Sequence, residues 1–77
     1  MPGVLPKGLK AEEAVRVFER AGGTRRSGKG SHTNVKMPDG QLITIPGHGE
    51  LKVGLLRAAI KKAGLSVEEF LELVGRT

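Results

Sequence analysis

The stretch His32–Pro46, HTNVKMPDGQLITIP, has the pattern of a β-hairpin. β-Branched and apolar residues lie on both sides of Pro38-Asp39-Gly40, where proline presets φ and glycine tolerates a positive φ. Because residues two apart share a face of a strand, the first strand of this hairpin has an apolar and a polar face. The two faces are Thr33, Val35 and Met37 on one side and His32, Asn34 and Lys36 on the other. We expect the apolar face to pack on helices and His32 to be exposed beside Lys36.

An amphipathic helix is predicted before the hairpin, from Lys10 to Ala21. Its apolar residues recur at i, i+3, i+4 and i+7, which places them on one helix face; they are Ala14, Val17, Phe18 and Ala21. Gly22-Gly23 ends this helix, because glycine readily adopts the left-handed backbone of a helix C-terminus. The short stretch from Thr24 to Ser27 is then predicted to be the first strand of the same antiparallel sheet.

Two further helices are predicted after the hairpin. The first begins at about Val53, and its apolar face consists of Leu56, Ala59, Ile60 and Ala63. The sequence Ser66-Val67-Glu68-Glu69 matches a capping box, and Leu65 just before it can pack on Phe70. A third helix is therefore predicted to begin at this capping box and to continue to about Val74.

The predicted elements define an α+β fold in which a three-stranded antiparallel sheet packs on helices. Their order, α-β-β-β-α with an additional short C-terminal helix, resembles the double-stranded-RNA-binding fold. We expect residues 1–77 to form a single domain, because the sequence has no internal repeat, linker or low-complexity segment. Fold order alone says little about function, so the side chains have to be considered.

Composition limits the classes of function open to this chain of 77 residues. It has no cysteine and two histidines, which excludes disulfides and thiolate zinc sites, and we expect neither a metal nor another cofactor. No apolar run approaches the roughly 20 residues that span a bilayer, and the opening MPGVLPKGLK lacks the apolar core of a signal peptide. We therefore expect a cytoplasmic protein with no membrane partner.

Positive charge is concentrated between Thr24 and Lys36. This segment has no acid, in a chain of formal net charge +5, and its cations are Arg25, Arg26, Lys29 and Lys36. Such a cluster favours a polyanion, because each neutralised phosphate releases counterions, although a solvated basic surface explains the charge equally well. The stretch Gly23–Gly30, GTRRSGKG, is similar to a nucleotide-binding loop. That loop is excluded, because Gly30 lacks the hydroxyl that binds Mg²⁺ and a helix instead of a strand comes before it.

The aromatic content indicates how a nucleic acid would be bound. The chain has no Trp or Tyr, and its two phenylalanines, Phe18 and Phe70, fall on predicted core faces. No aromatic side chain is then left on the surface to stack on single-stranded bases. Recognition of the nucleic-acid backbone and shape is favoured over base stacking.

Both histidines are candidates for acid–base chemistry. An imidazole gains or loses a proton near neutral pH, and His32 follows the flexible Gly30-Ser31 between the cations Lys29 and Lys36. His32 is a possible general base, a phosphate ligand or an ordinary surface residue. His48, in PGHGE, is a second acid–base candidate or simply a residue at the start of a helix.

Ordered motifs along almost the whole chain resemble the HicA toxins, also called the YcfA-like family. The motifs are LPKGLKAEEAVRVFERAGG, GKGSH followed by a hairpin, IPGH, and ELKVGLLRAAIKKAGLSVEEFLEL. The resemblance implies a small mRNA interferase of a type II toxin–antitoxin pair, with a HicB antitoxin as partner. The G-S-H motif of the family falls on Gly30-Ser31-His32, which implies a catalytic role for His32, and its P-x-H motif falls on His48. The sequence departs from the family pattern at Gly23, where an aromatic is usual, and at Ser27, where Arg is usual.

The residues and the resemblance together predict a metal-independent endoribonuclease. His32 is expected to take the proton from a ribose 2′-OH, and His48 is the secondary catalytic candidate. The expected RNA-binding residues are Arg25, Arg26, Lys29, Gly30, Ser31 and Lys36. Two alternatives remain: an RNA-binding module without catalysis, in which His32 only contacts phosphate, and a toxin homologue that has lost its activity.

Overall fold

A computed structural model describes residue 5 and residues 8–27, 30, 32–46 and 49–75. The elements occur in the predicted order, which confirms the α+β class. They are α1 (Ala11–Arg20), β1 (Thr24–Ser27), β2 (Thr33–Lys36), β3 (Leu42–Ile45), α2 (Val53–Lys62) and α3 (Val67–Val74). Lys10 and Ala21, the predicted limits of the first helix, are the two cap residues of α1.

The three strands form one antiparallel sheet in the order β1-β2-β3. In the central strand, Val35 lies opposite Arg25 of β1 and Ile43 of β3. Val35 and Met37 are buried, whereas Lys36 between them is exposed. The predicted alternation of β2 is therefore confirmed.

The turn between β2 and β3 is closed by backbone hydrogen bonds. The Met37 N–H donates to the Gln41 carbonyl at 2.8 Å, and the Gly40 N–H donates to the Met37 carbonyl at 2.9 Å. Gly40 has a φ of +92°, which side chains with a Cβ rarely adopt. Asp39 Oδ1 accepts a further bond from the Gln41 N–H at 3.0 Å. These contacts confirm the turn that was predicted at Pro38-Asp39-Gly40.

The helix termini are formed by local hydrogen bonds that the sequence predicts. At the start of α3, Ser66 Oγ accepts from the Glu69 N–H at 3.0 Å, and Glu69 Oε1 accepts from the Ser66 N–H at 2.8 Å. This reciprocal pair is the predicted capping box. At the end of α1, Gly22 has a φ of +104°, so the chain reverses there before it enters β1.

One apolar core joins the helices to a single face of the sheet. The rings of Phe18 in α1 and Phe70 in α3 contact each other with centroids 5.4 Å apart and planes tilted by 50°. Leu65 packs on the same core, as predicted. The fully buried large side chains are Phe18, Phe70, Ile43, Ile45, Leu56, Ile60, Val15, Val17 and Val35. Helices α1 and α2 pack on this face and α3 packs on them, so no described element covers the opposite face of the sheet.

Candidate nucleic-acid interface

The face of the sheet that the helices do not cover is mostly polar. We call it the outer sheet face, and its residues are Thr24, Arg26, Asn34, Lys36, Leu42 and Thr44. Across the strands, Arg26 lies opposite Asn34, and Asn34 lies opposite Thr44. Arg26, Asn34 and Lys36 line a shallow open depression together with Gly40 and Leu42. The outer sheet face is thus a continuous surface across all three strands.

Two cations share this face. Arg26 and Lys36 are diagonal neighbours on adjacent strands, a relation that places side-chain origins about 7–8 Å apart. Both side chains are exposed, and neither forms an ion pair with an acid of the residues described. None of the residues of the outer sheet face is acidic. Two cations held this close, with no acid between them, favour an anionic ligand that can bridge them.

A hydrogen bond orients the polar groups beside the cations. The Thr44 hydroxyl donates to Asn34 Oδ1 at 2.8 Å, linking β3 to β2 across the outer sheet face. Asn34 is the cross-strand partner of Arg26, so this bond orients the amide of the residue opposite that cation. Sequence reasoning did not select Thr44, because nothing in LITI distinguishes an outward threonine from an ordinary strand residue until the register is known.

His32 is exposed and directly precedes β2. It lies two residues before Asn34, so alternation assigns it to the outer sheet face. At about 3.3 Å per residue, Lys36 is about 13 Å further along the strand. Arg26 lies opposite Asn34 and is therefore a diagonal neighbour of His32, which separates their side-chain origins by about 7–8 Å. Arg26 is therefore the described cation of the outer sheet face that is closest to His32.

Arg25 lies on the other face of the sheet, apart from Arg26 and Lys36. Its register partner is the buried Val35, so its side chain extends towards the helices. The guanidinium donates to Glu12 Oε2 at 2.7 Å and to Glu19 Oε1 at 3.3 Å, both in α1. Arg25, one of the expected RNA-binding residues, is therefore separated from the outer sheet face.

The ion pairs of Arg25 connect β1 to α1. The hydrogen bond from Arg25 lowers the pKa of the Glu12 carboxyl, with smaller contributions from the charges of Arg25 and Arg16. The same carboxylates, Glu12 first and then Glu19, raise the pKa of Arg25. These side chains are about half exposed, and solvent screens the pairs, so they orient the strand more than they stabilise the fold.

The structure describes one of the four remaining predicted site residues. Gly30 is described, is exposed and has a φ of +61°, with open space where a Cβ would be. Lys29, Ser31 and His48 lie outside the described residues. Within the described ranges, no three His, Asp or Glu side chains lie close enough together to hold a metal ion.

The chain is thus a small α+β protein whose open sheet face has cations suited to an anionic ligand, with an exposed histidine directly before β2. A family model described as the HicA toxin of bacterial toxin–antitoxin systems matches residues 11–65. This match covers most of the chain, from α1 to the end of α2, and the chain belongs to the HicA toxin family. It is thus the toxin of a toxin–antitoxin system, as the motifs predicted.

No curated protein sequence matches the chain. In the part of the chain that the structure describes, every helix is too short or too polar to cross a membrane.

Proposed function

We propose that this toxin is an endoribonuclease that cuts mRNA in the cytoplasm and binds it on the outer sheet face. The observation that carries this proposal is an open sheet face in a HicA-family chain: Arg26 and Lys36 lie on it without described acidic partners, and the exposed His32 directly precedes its central strand. The sugar–phosphate backbone of RNA is an anion that can reach all three side chains at once. The resemblance of the G-S-H motif to that of the HicA toxins supports the same assignment.

His32 acts as the general base of the proposed reaction. Its imidazole takes the proton of a ribose 2′-OH, and the oxygen attacks the adjacent phosphorus. The bond from phosphorus to the 5′-oxygen breaks, leaving a 2′,3′-cyclic phosphate, and the departing oxygen takes a proton from water. General-base assistance of this kind contributes roughly 10²- to 10⁴-fold in rate. His48 stays the second candidate for a proton-transferring group.

The two cations have separate roles in this proposal. Arg26, the described outer-face cation nearest to His32, stabilises the charge that develops on the phosphoryl oxygens in the transition state. Lys36, about 13 Å from His32 along β2, holds a phosphate further along the strand. Lys29, Gly30 and Ser31 belong to the proposed RNA contact as well, since they precede His32 in the chain. Arg25 is left out, because its guanidinium already binds Glu12 and Glu19.

The proposed contact is to the RNA backbone, not to stacked bases. Both phenylalanines are fully buried, and the outer sheet face has no aromatic side chain. Phosphate contacts carry little sequence information, so affinity should vary little among RNA sequences. The Asn34 amide and the Thr44 hydroxyl are the described groups of this face that are able to contact a base edge or a ribose.

A HicB-like antitoxin is the proposed protein partner. It would inhibit most simply by covering the outer sheet face with acidic groups, since the same cations that bind phosphate also bind carboxylates. RNA and antitoxin would then compete for Arg26 and Lys36. In a complex of the two proteins, His32 should be inaccessible to RNA, and a partner that left His32 open would contradict this part of the proposal.

One experiment tests catalysis directly. Labelled RNA is incubated with the protein in EDTA, beside the same RNA with 2′-deoxyribose throughout. We expect fragments that end in a 2′,3′-cyclic phosphate from the RNA, and binding without cleavage of the deoxy strand. Binding of both strands without any cleavage would instead identify an RNA-binding module or an inactive toxin homologue. Cleavage of the deoxy strand would rule out attack by the 2′-OH.

A further inference from the structure

Helix α2 carries a second group of cations, separate from the outer sheet face. We call the exposed cations of α2 and of the residue before it the α2 cationic surface: Lys52, Arg57, Lys61 and Lys62. All of them are exposed, and none pairs with an acid of the residues described. The acids of the helices lie elsewhere, in α1 and α3; they are Glu12, Glu13, Glu19, Glu68, Glu69 and Glu72. The helices thus divide into one basic and two acidic ones.

Helix stability explains only part of this arrangement. Lys61 and Lys62 lie in the last turn of α2, where a cation interacts favourably with the helix dipole. Lys52 precedes the first turn, where the dipole disfavours a positive charge. Arg57 and Lys61 are like charges at i and i+4, a spacing that destabilises a helix. The position of Lys52 and the repulsion between Arg57 and Lys61 therefore have no explanation in the stability of the helix.

A groove joins the α2 cationic surface to the outer sheet face. Its walls are β3 and α2, and its lining residues are Ile43, Thr44, Leu55, Ala58, Ala59 and Lys62. Thr44 is a residue of the outer sheet face, where its hydroxyl donates to Asn34 at 2.8 Å. Lys62 therefore lies in the same groove as Thr44, whose hydroxyl bonds to Asn34. Asn34 is the cross-strand partner of Arg26. Thr44 and Lys62 are the polar residues of this groove, the other four are apolar, and none is acidic. Arg26, Asn34, Thr44 and Lys62 thus lead from the sheet to the helix with no acid among them.

We propose that the α2 cationic surface is a second binding site for the RNA backbone, which a single strand reaches by crossing the edge at β3. This extension rests on the proposed function, because it assumes that RNA first occupies the outer sheet face. One segment of RNA would contact Arg26 and Lys36. The adjoining segment would pass Thr44 and contact Lys62 and Lys61. The protein then holds a longer stretch of RNA than the residues around His32 reach.

The test is the salt dependence of RNA binding by a double variant, Lys61→Ala with Lys62→Ala. The probe is a 2′-O-methyl RNA, which keeps the phosphates and lacks the attacking hydroxyl. Each lost phosphate contact should lower the slope of log K against log salt by about 0.7, so the double variant should lose about 1.4. At physiological salt, the loss of one phosphate contact should lower the affinity for RNA by about fourfold. The loss of both contacts should lower it by about tenfold or more.

The matched control is Arg20→Ala, which removes an exposed last-turn cation from the acidic helix α1. We expect it to bind RNA like the wild type, and circular dichroism should show both variant proteins folded. If the double variant also binds like the wild type while Lys36→Ala binds weakly, the second site is wrong and the outer sheet face stands. If Lys36→Ala has no effect either, the proposed function fails with it. Normal RNA binding with loss of antitoxin binding would make the α2 cationic surface a protein interface and overturn the proposal.

Discussion

Replacing Gly23 with alanine would add a methyl group where the core has no space. The new Cβ would lie 2.5 Å from Val35 Cγ1, 2.9 Å from Met37 Sδ and 2.9 Å from the Phe18 carbonyl oxygen. Carbon atoms pack at about 3.5–4.0 Å, so Val35 has to move by about 1 Å. The backbone cannot easily yield instead, because the Gly23 N–H donates to that same carbonyl at 2.9 Å. Overpacking of this kind costs about 1–3 kcal/mol, which lowers the melting temperature of so small a domain by about 4–24 °C.

Thermal unfolding followed by circular dichroism measures this effect. The matched control is Gly54→Ala in α2, where a Cβ meets nothing within 4 Å and alanine favours the helix by up to about 1 kcal/mol. Gly54→Ala should melt at or above the wild-type temperature. Val35→Ala in the Gly23→Ala protein removes the closest clashing methyl. The double variant should therefore lose less stability than the two single variants lose in total. A Gly23→Ala protein that melts with the wild type would refute the tight packing of β1 against β2.

Four further substitutions test other parts of the structure. Arg25→Ala should cost at most about 1 kcal/mol and leave RNA affinity unchanged, whereas Arg26→Ala should weaken binding on many sequences alike and flatten its salt dependence in filter-binding assays. Glu12 has a lowered pKa when folded, so its stabilising contribution is present above its ordinary value of 4.5 and is lost as the pH falls through the folded pKa. Below pH 4.5, the free energy of unfolding measured in urea should therefore depend less on pH in Glu12→Gln than in the wild type. Ser66→Ala removes the cap of α3 and should lower stability by about 1 kcal/mol, or about 4–8 °C in melting temperature, and an unchanged melt would contradict the capping role.

The hairpin and the third helix were predictable because each depends on short-range rules. Alternation along β2 assigned Val35 to the core and Lys36 to the surface. Because one face of the strand is buried, a shift in register by one residue would bury the polar side chains instead. The capping box at Ser66 marks the start of α3, because its two hydrogen bonds join residues only three apart. Local patterns of this kind fixed most of the fold.

The orientation of β1 could not be predicted, because its four residues, TRRS, include no apolar side chain. Either arginine could have been the outward one. The choice depends on long-range contacts: the carboxylates of Glu12 and Glu19 hold Arg25 on the helix side. Gly23 immediately before the strand lets β1 lie close to Val35, where the aromatic residue usual in the family has no room. The sequence therefore predicted strand β1, but not which of its two arginines faces the open side of the sheet.

The rate of RNA cleavage by His32→Ala in EDTA tests the proposed catalytic role most directly. His32 is exposed and outside the core, so its replacement should leave the melting temperature within about 4 °C of the wild type, the shift expected for under 1 kcal/mol. Under single-turnover conditions the cleavage rate should fall by at least about 10²-fold, while RNA binding persists. His48→Ala, measured in parallel, should retain some cleavage. A folded His32→Ala protein that cleaves at the wild-type rate would contradict the assignment of His32 as the general base.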